Sequence, residues 1–139
     1  MSSILIVDDD ADIRLLLRVE LSAEGHLISE AANGEEGLQA MEAERPDLVV
    51  LDIMMPVLDG WGVLQAIDPA DAPPIVVITA LASEGDRHIG ELLEHGALDV
   101  ISKPFDPGWL VRLVNAVLLV EADEREEYRR QRLARALRH

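Results

Sequence analysis

Three aspartates in a row, Asp8-Asp9-Asp10, follow the apolar run SILIV, and a fourth, Asp52, ends the run DLVVLD. Thr79 ends PIVVIT, while Ser102 and Lys103 come at the end of ALDVIS. A carboxylate closing a fully apolar run needs a wet edge, a proton or a partner, because an isolated buried charge is very costly. Asp8, Asp9 and Asp52 gathered in a small space would repel one another and raise at least one carboxyl pKa. A hard divalent cation relieves that repulsion, and Mg2+ suits one or two carboxylates together with phosphate and water. Lys103 would add a compact positive charge and Thr79 a hydroxyl donor. A carboxylate nucleophile, a metal, a cation and a hydroxyl can together stabilise charge on a transferring phosphoryl group. Each residue taken singly also has a plain structural role: an Asp at a strand end caps a turn, a Thr packs, a Lys is solvated. Joint placement at successive strand ends is what favours chemistry.

The elements that would place them follow from the pattern of apolar residues. Five short runs, at 3–7, 26–31, 47–52, 74–79 and 97–102, are rich in Val and Ile and bounded by Gly, Pro or Asp, as strands are. Helix-period segments lie between them. Asp10 to Ala23 presents Ile13, Leu16, Leu17 and Leu21, with Asp10 or Ala11 near its cap. Gly34 to Ala43 and Gly60 to Ile67 are shorter, and Ser83 to His95 opens with Ser-x-x-Asp and stops at Gly96. From Pro107 onward, Leu110, Val111, Val114, Val117 and Leu118 recur at helical spacing. Five strand–helix alternations predict an α/β parallel sheet covered by helices on both faces, with ligands beyond the carboxyl ends of the strands. Alternation alone leaves the strand order open.

Composition bounds the rest. The 139 residues suffice for one domain with a real core. No cysteine is present, which excludes disulfides and thiolate metal sites and makes a cytoplasmic location the expectation. The longest apolar stretch, around 113–120, is far too short for a membrane span, and the N-terminus lacks signal-peptide features. Net charge is −15, which disfavours direct nucleic-acid binding by this domain. Residues 1–120 carry 22 acidic and 6 basic side chains and residues 121–139 carry 5 and 6, so the acidity belongs to the globular part. Lys103 is the only lysine. His26, His88, His95 and His139 show no ligand spacing and are expected at the surface or in packing.

VDDD at 7–10, LDIMMPVLDGWGVL at 51–64, VVITA at 76–80 and ISKPF at 101–105 closely resemble the response-regulator receiver domains of two-component signalling. The motifs stand in family order and spacing over about residues 3–120. The resemblance implies a flavodoxin-like, doubly wound, five-stranded sheet in the order 2-1-3-4-5 with five helices. It makes Asp52 the phospho-acceptor and Asp9 a direct Mg2+ ligand, with Asp8 helping through water and the Met54 backbone carbonyl as a further ligand beside Asp52. Thr79 would bond a phosphoryl oxygen and Lys103 would pair with its charge, with Pro104 after a cis peptide bond. It further implies a sensor histidine kinase or phosphotransfer protein as phosphoryl donor, a downstream partner or output domain, and room for a homodimer. The aromatic switch position of the family is Val100 here, and Met54 and Leu81 are apolar where many relatives carry polar residues, so slow self-dephosphorylation is expected.

Two rivals share parts of this pattern. An aspartyl-phosphate phosphatase of the haloacid-dehalogenase type needs a second Asp two residues after the nucleophile, where Met54 stands. A flavin or nucleotide module needs a Gly- or Ser/Thr-rich phosphate loop after the first strand, where the three aspartates stand. The chain is thus expected to divide into a receiver domain at 1–120 and a charged helical extension at 121–139. The extension has no Gly or Pro and almost no apolar stripe up to residue 132, so the last helix is expected to run on into it and project into solvent.

Overall fold

The structure, a computed structural model, describes residues 2–68, 72–80 and 86–137. Five strands alternate with helices: β1 (Ser3–Val7), α1 (Ala11–Ser22), β2 (Leu27–Ala31), α2 (Gly34–Ala43), β3 (Leu48–Asp52), α3 (Gly60–Ala66), β4 (Ile75–Thr79), α4 (Asp86–Glu94), β5 (Asp99–Ser102) and α5 (Pro107–Leu118). A 3-10 turn, Ala122–Glu124, then leads into a sixth helix, α6 (Arg125–Leu137). All strand pairs are parallel and the order is β2-β1-β3-β4-β5, as the resemblance implies.

Side chains alternate across a strand, so each apolar run feeds two cores. Ile4, Ile6, Val50, Val76 and Ile78 pack with Leu17 and Leu21 of α1 and Leu110 and Val114 of α5. Leu5, Val7, Val49, Leu51 and Val77 face Val63 and Leu64 of α3 and Leu92 and Leu93 of α4. Helix starts follow local chemistry. The Asp10 carboxylate accepts from the N–H groups of Asp12 (2.9 Å) and Ile13 (3.4 Å), and Asn33, Asp59 and Asp106 cap α2, α3 and α5 in the same way. The expected face of α1 is corrected in one place: Leu16 is 39% exposed, and only Leu17 and Leu21 are fully buried. The Ser83 start expected for the fourth helix lies outside the described residues, while its stop at Gly96, with φ +115, is as expected.

The tail corrects a larger expectation. The last receiver helix does not run on. It ends at Leu118, where the N–H groups of Leu119 and Val120 turn back to the carbonyls of Ala116 and Val117. Glu121 takes an extended conformation, its N–H donates to Glu124 Oε1 at 3.2 Å and its carbonyl accepts from the Glu124 N–H at 2.9 Å, so a separate helical segment starts there. Nor does α6 project into solvent: Leu133 packs against the α3–α4 core and Tyr128 against the other. On its exposed side Arg130 pairs with Glu127, three residues before it, at 2.7 Å.

Candidate functional site

Register brings the strand ends to one edge. Val7 lies beside Leu51, Asp52 beside Ile78, and Thr79 beside Ser102. Asp8 continues from β1, held by its N–H to the carbonyl of Ala31 at 3.1 Å. Asp8, Asp52 and Thr79 are almost fully buried, whereas Asp9 is exposed. Oxygen atoms of Asp8, Asp9 and Asp52 all lie within 4.8 Å of one another. Lys103 reaches the centre of the group, with Nζ 3.4 Å from Asp8 Oδ2 and 3.4 Å from Asp52 Oδ1. Its own N–H donates to the Thr79 carbonyl at 2.8 Å, and the Lys103–Pro104 peptide is cis, as the resemblance implies.

The electrostatics of this edge are unbalanced. Burial, with repulsion from Asp8 added, pushes the Asp52 carboxyl up to about 6, against the pull of Lys103 and the Met54 N–H. Burial also pushes the Asp8 carboxyl up, against the Asp10 N–H at 2.9 Å and Lys103. Two buried carboxylates thus share one ammonium, and the Asp9 carboxylate adds a further negative charge beside them. The donor set is all oxygen and carries surplus negative charge, so it fits a hard divalent cation.

The loop after β3 shapes the approach. Met54 is 56% exposed beside Asp52, and with Asp9, Met55, Pro56, Asp59 and Trp61 it borders an open cavity of about 460 Å³. Val57 has φ +71 and is spanned by a hydrogen bond from Leu58 N–H to the Pro56 carbonyl at 2.9 Å, a γ-turn of the strained hand. Such φ values are rare for a β-branched residue and cluster at functional loops. Gly60 N–H then donates to the Ile53 carbonyl at 2.9 Å, bringing the start of α3 against the end of β3.

Every described residue expected at the site is at this edge, and Val100 is buried in the α3–α4 core instead of an aromatic. Leu81 lies outside the described residues. The histidines divide as expected where described: His26 Nε2 meets Asn115 Oδ1 at 2.9 Å, and His95 meets Trp61 edge to face, with ring centroids 5.5 Å apart. The His88 side chain and His139 lie outside the described residues. One contributor was missed. Arg14 donates from Nη1 to the Asp8 carbonyl at 2.6 Å and from Nε to Glu30 at 3.2 Å, fixing the backbone between the two aspartates. Its only signal in the sequence is a basic residue one helical turn after the acidic run.

Similarity to known proteins converges on the same reading. A sequence profile of the response regulator receiver domain matches residues 4–115. The "Probable transcriptional regulator ycf27" of Guillardia theta is 48% identical over 115 residues, which are 83% of this chain and 44% of that protein. The "Transcriptional regulatory protein AfsQ1" of Streptomyces coelicolor is 41% identical over 118 residues, 85% of this chain and 52% of that one. The chain therefore spans about half the length of the curated relatives it matches. Among solved structures, the receiver domain of the Francisella response regulator 1452 superposes with a TM-score of 0.80 at 28% identity, covering 85% of this chain and 97% of that chain. The receiver domain of NtrX from Brucella abortus gives 0.76 at 33% identity, covering 85% and 99%. Motif residues, strand order and site geometry agree with these matches, and the chain belongs to the response-regulator receiver domains of two-component systems.

Proposed function

We propose that Asp52 accepts a phosphoryl group from a phosphohistidine of a sensor kinase or phosphotransfer protein, and that this switches the surface the domain shows to its output. The observation that carries this reading is the buried Asp52 carboxylate, sharing one ammonium with Asp8 at 3.4 Å from each. In the transfer, Asp52 Oδ forms the new bond to phosphorus while the bond from phosphorus to the donor's imidazole nitrogen breaks and the imidazole keeps the electron pair. Lys103 pairs with charge on the phosphoryl oxygens, and Thr79 donates its hydroxyl to one of them. Asp8, Asp9, Asp52 and the Met54 carbonyl would hold Mg2+, which when bound neutralises charge on the transferring group. On this reading the chain is an acceptor that assists its own phosphorylation and dephosphorylation, not an enzyme acting on other substrates. Two of the relatives it matches are named as transcriptional regulators, so an output domain or partner in gene control is part of the proposal.

Incubation with acetyl phosphate and Mg2+, followed by peptide mass spectrometry, tests it. One phosphoryl group on Asp52 is expected, absent after chelation and absent in Asp52→Asn; label that persists in either arm overturns the assignment. A second expectation concerns loss of the group. The exposed Met54 thioether gives an attacking water no strong hydrogen-bond partner. Met54→Asn should therefore shorten the lifetime of the phosphorylated protein several-fold, read as decay of the intact mass. An unchanged lifetime would make Met54 incidental.

A further inference from the structure

Asp99 opens β5 as a carboxylate only 4% exposed, in a strand continued by Val100, Ile101 and Ser102. Its Oδ2 accepts from the Tyr128 hydroxyl at 2.6 Å. Its Oδ1 accepts from Arg132 Nε at 2.7 Å and from the Val100 N–H at 2.8 Å. Arg129 donates to the carbonyls of Ala97 and Gly96, both at 3.2 Å, where the chain leaves α4 for β5. Leu133 packs into the cluster that holds Leu92 and Leu93. Residues 128, 129, 132 and 133 fall on one helical face, so a single side of α6 makes all these contacts. The helix carries five arginines and two glutamates, against a receiver with 22 acidic and 6 basic residues. Attraction is therefore general as well as local.

β5 is the edge strand of the sheet and pairs with β4. Asp99 begins it, and Lys103 follows its last residue, about 13 Å further along at 3.3 Å per residue. The proposed phosphoryl site and the α6 contacts thus occupy opposite ends of one short strand. A shift of about 1 Å in β5 that follows Lys103 would misalign Asp99 with Tyr128 and Arg132, whose bonds depend steeply on distance and angle. We propose that the α4–β5 face is a helix-binding surface held in the resting protein by the chain's own α6, and that phosphorylation of Asp52 releases it. The proposal rests on the phospho-acceptor reading above and adds the element that reading controls. The 3-10 turn lets α6 leave without unwinding α5.

Amide hydrogen exchange of the full chain, with and without acetyl phosphate and Mg2+, tests this directly, with intact mass measured on the same samples. Exchange across residues 125–137 is expected to rise about 5- to 150-fold in the phosphorylated protein, the range typical of coupled sites. By linkage, Tyr128→Phe and Arg132→Gln should raise affinity for beryllofluoride with Mg2+ by the factor through which they loosen α6. Tyr128→Phe keeps the ring and removes only the hydroxyl, so loss of folding does not confound it. Full phosphorylation with α6 exchange unchanged overturns the latch and leaves the acceptor role intact. No label on Asp52 overturns both. Protection of α6 that rises with protein concentration would place a second copy's helix on the face and overturn the assignment within one chain.

Discussion

Asp52→Asn is expected to stabilise the metal-free protein at pH 7.5 by about 1–3 kcal/mol. In the folded state burial and Asp8 raise the Asp52 carboxyl to about 6, while in the unfolded chain it titrates near its ordinary value of 3.8. Between those values the folded state holds the extra proton, so the contribution of this group is complete below about pH 4 and is lost as pH rises through 6. Each pKa unit corresponds to about 1.4 kcal/mol, and coupling to Asp8 and Lys103 makes the upper end of the range a ceiling. Asparagine keeps the shape and removes the charge. The gain over wild type should therefore shrink as pH falls from 7.5 to 5, and Mg2+ should stabilise wild type more than the variant. Urea unfolding with and without chelator measures both. A variant less stable than wild type at pH 7.5 would mean that Asp52 holds the fold together instead of straining it.

Gly60→Ala is expected to destabilise by about 2–4 kcal/mol, the range for forced overpacking against backbone. A Cβ at this position would lie 2.6 Å from the Asp52 carbonyl oxygen, 2.6 Å from Ile53 Cδ1 and 2.7 Å from Ile53 Cα. Two of those atoms are backbone at the end of β3, so the helix start or the acceptor must move. The same change two residues later is a built-in control. At Gly62 the atoms met first are the tip of the Leu58 side chain, which can turn aside. Gly62→Ala should cost less than about 1 kcal/mol. Thermal melts of both variants, with Asp52 labelling alongside, separate a local packing clash from general helix effects. Equal losses at the two positions would refute the close approach at Gly60.

Four of the five strands and their chemical ends could be read because each is a short apolar run closed by an aspartate, threonine or lysine; β2, ending in Ala31, was legible only as a run. Register is constrained because a slip of one residue would turn every side chain to the opposite face. The course of α6 was not legible for an equally physical reason. A packed helix is marked in sequence by an apolar stripe, and the face that docks here is Tyr128, Arg129 and Arg132 with Leu133 alone aliphatic. Its receptor was in view as the single carboxylate inside ALDVIS, yet an acid at the start of a strand resembles a turn. The exposed Leu16 shows the converse limit: periodicity names a face, but whether a neighbouring helix reaches its margin depends on packing.

Lys103 is the chain's only lysine, and its amine sits between the two buried carboxylates of the site. Acetylation of side-chain amines in this protein is thus confined to one atom, the ammonium that pairs with Asp8 and Asp52. Acetylation there would erase the positive charge and leave the carboxylates unopposed. Acetyl phosphate can transfer either half of itself, so the two products are mutually informative: a phosphoryl group on Asp52 marks a working site, and an acetyl group on Lys103 marks one chemically disarmed.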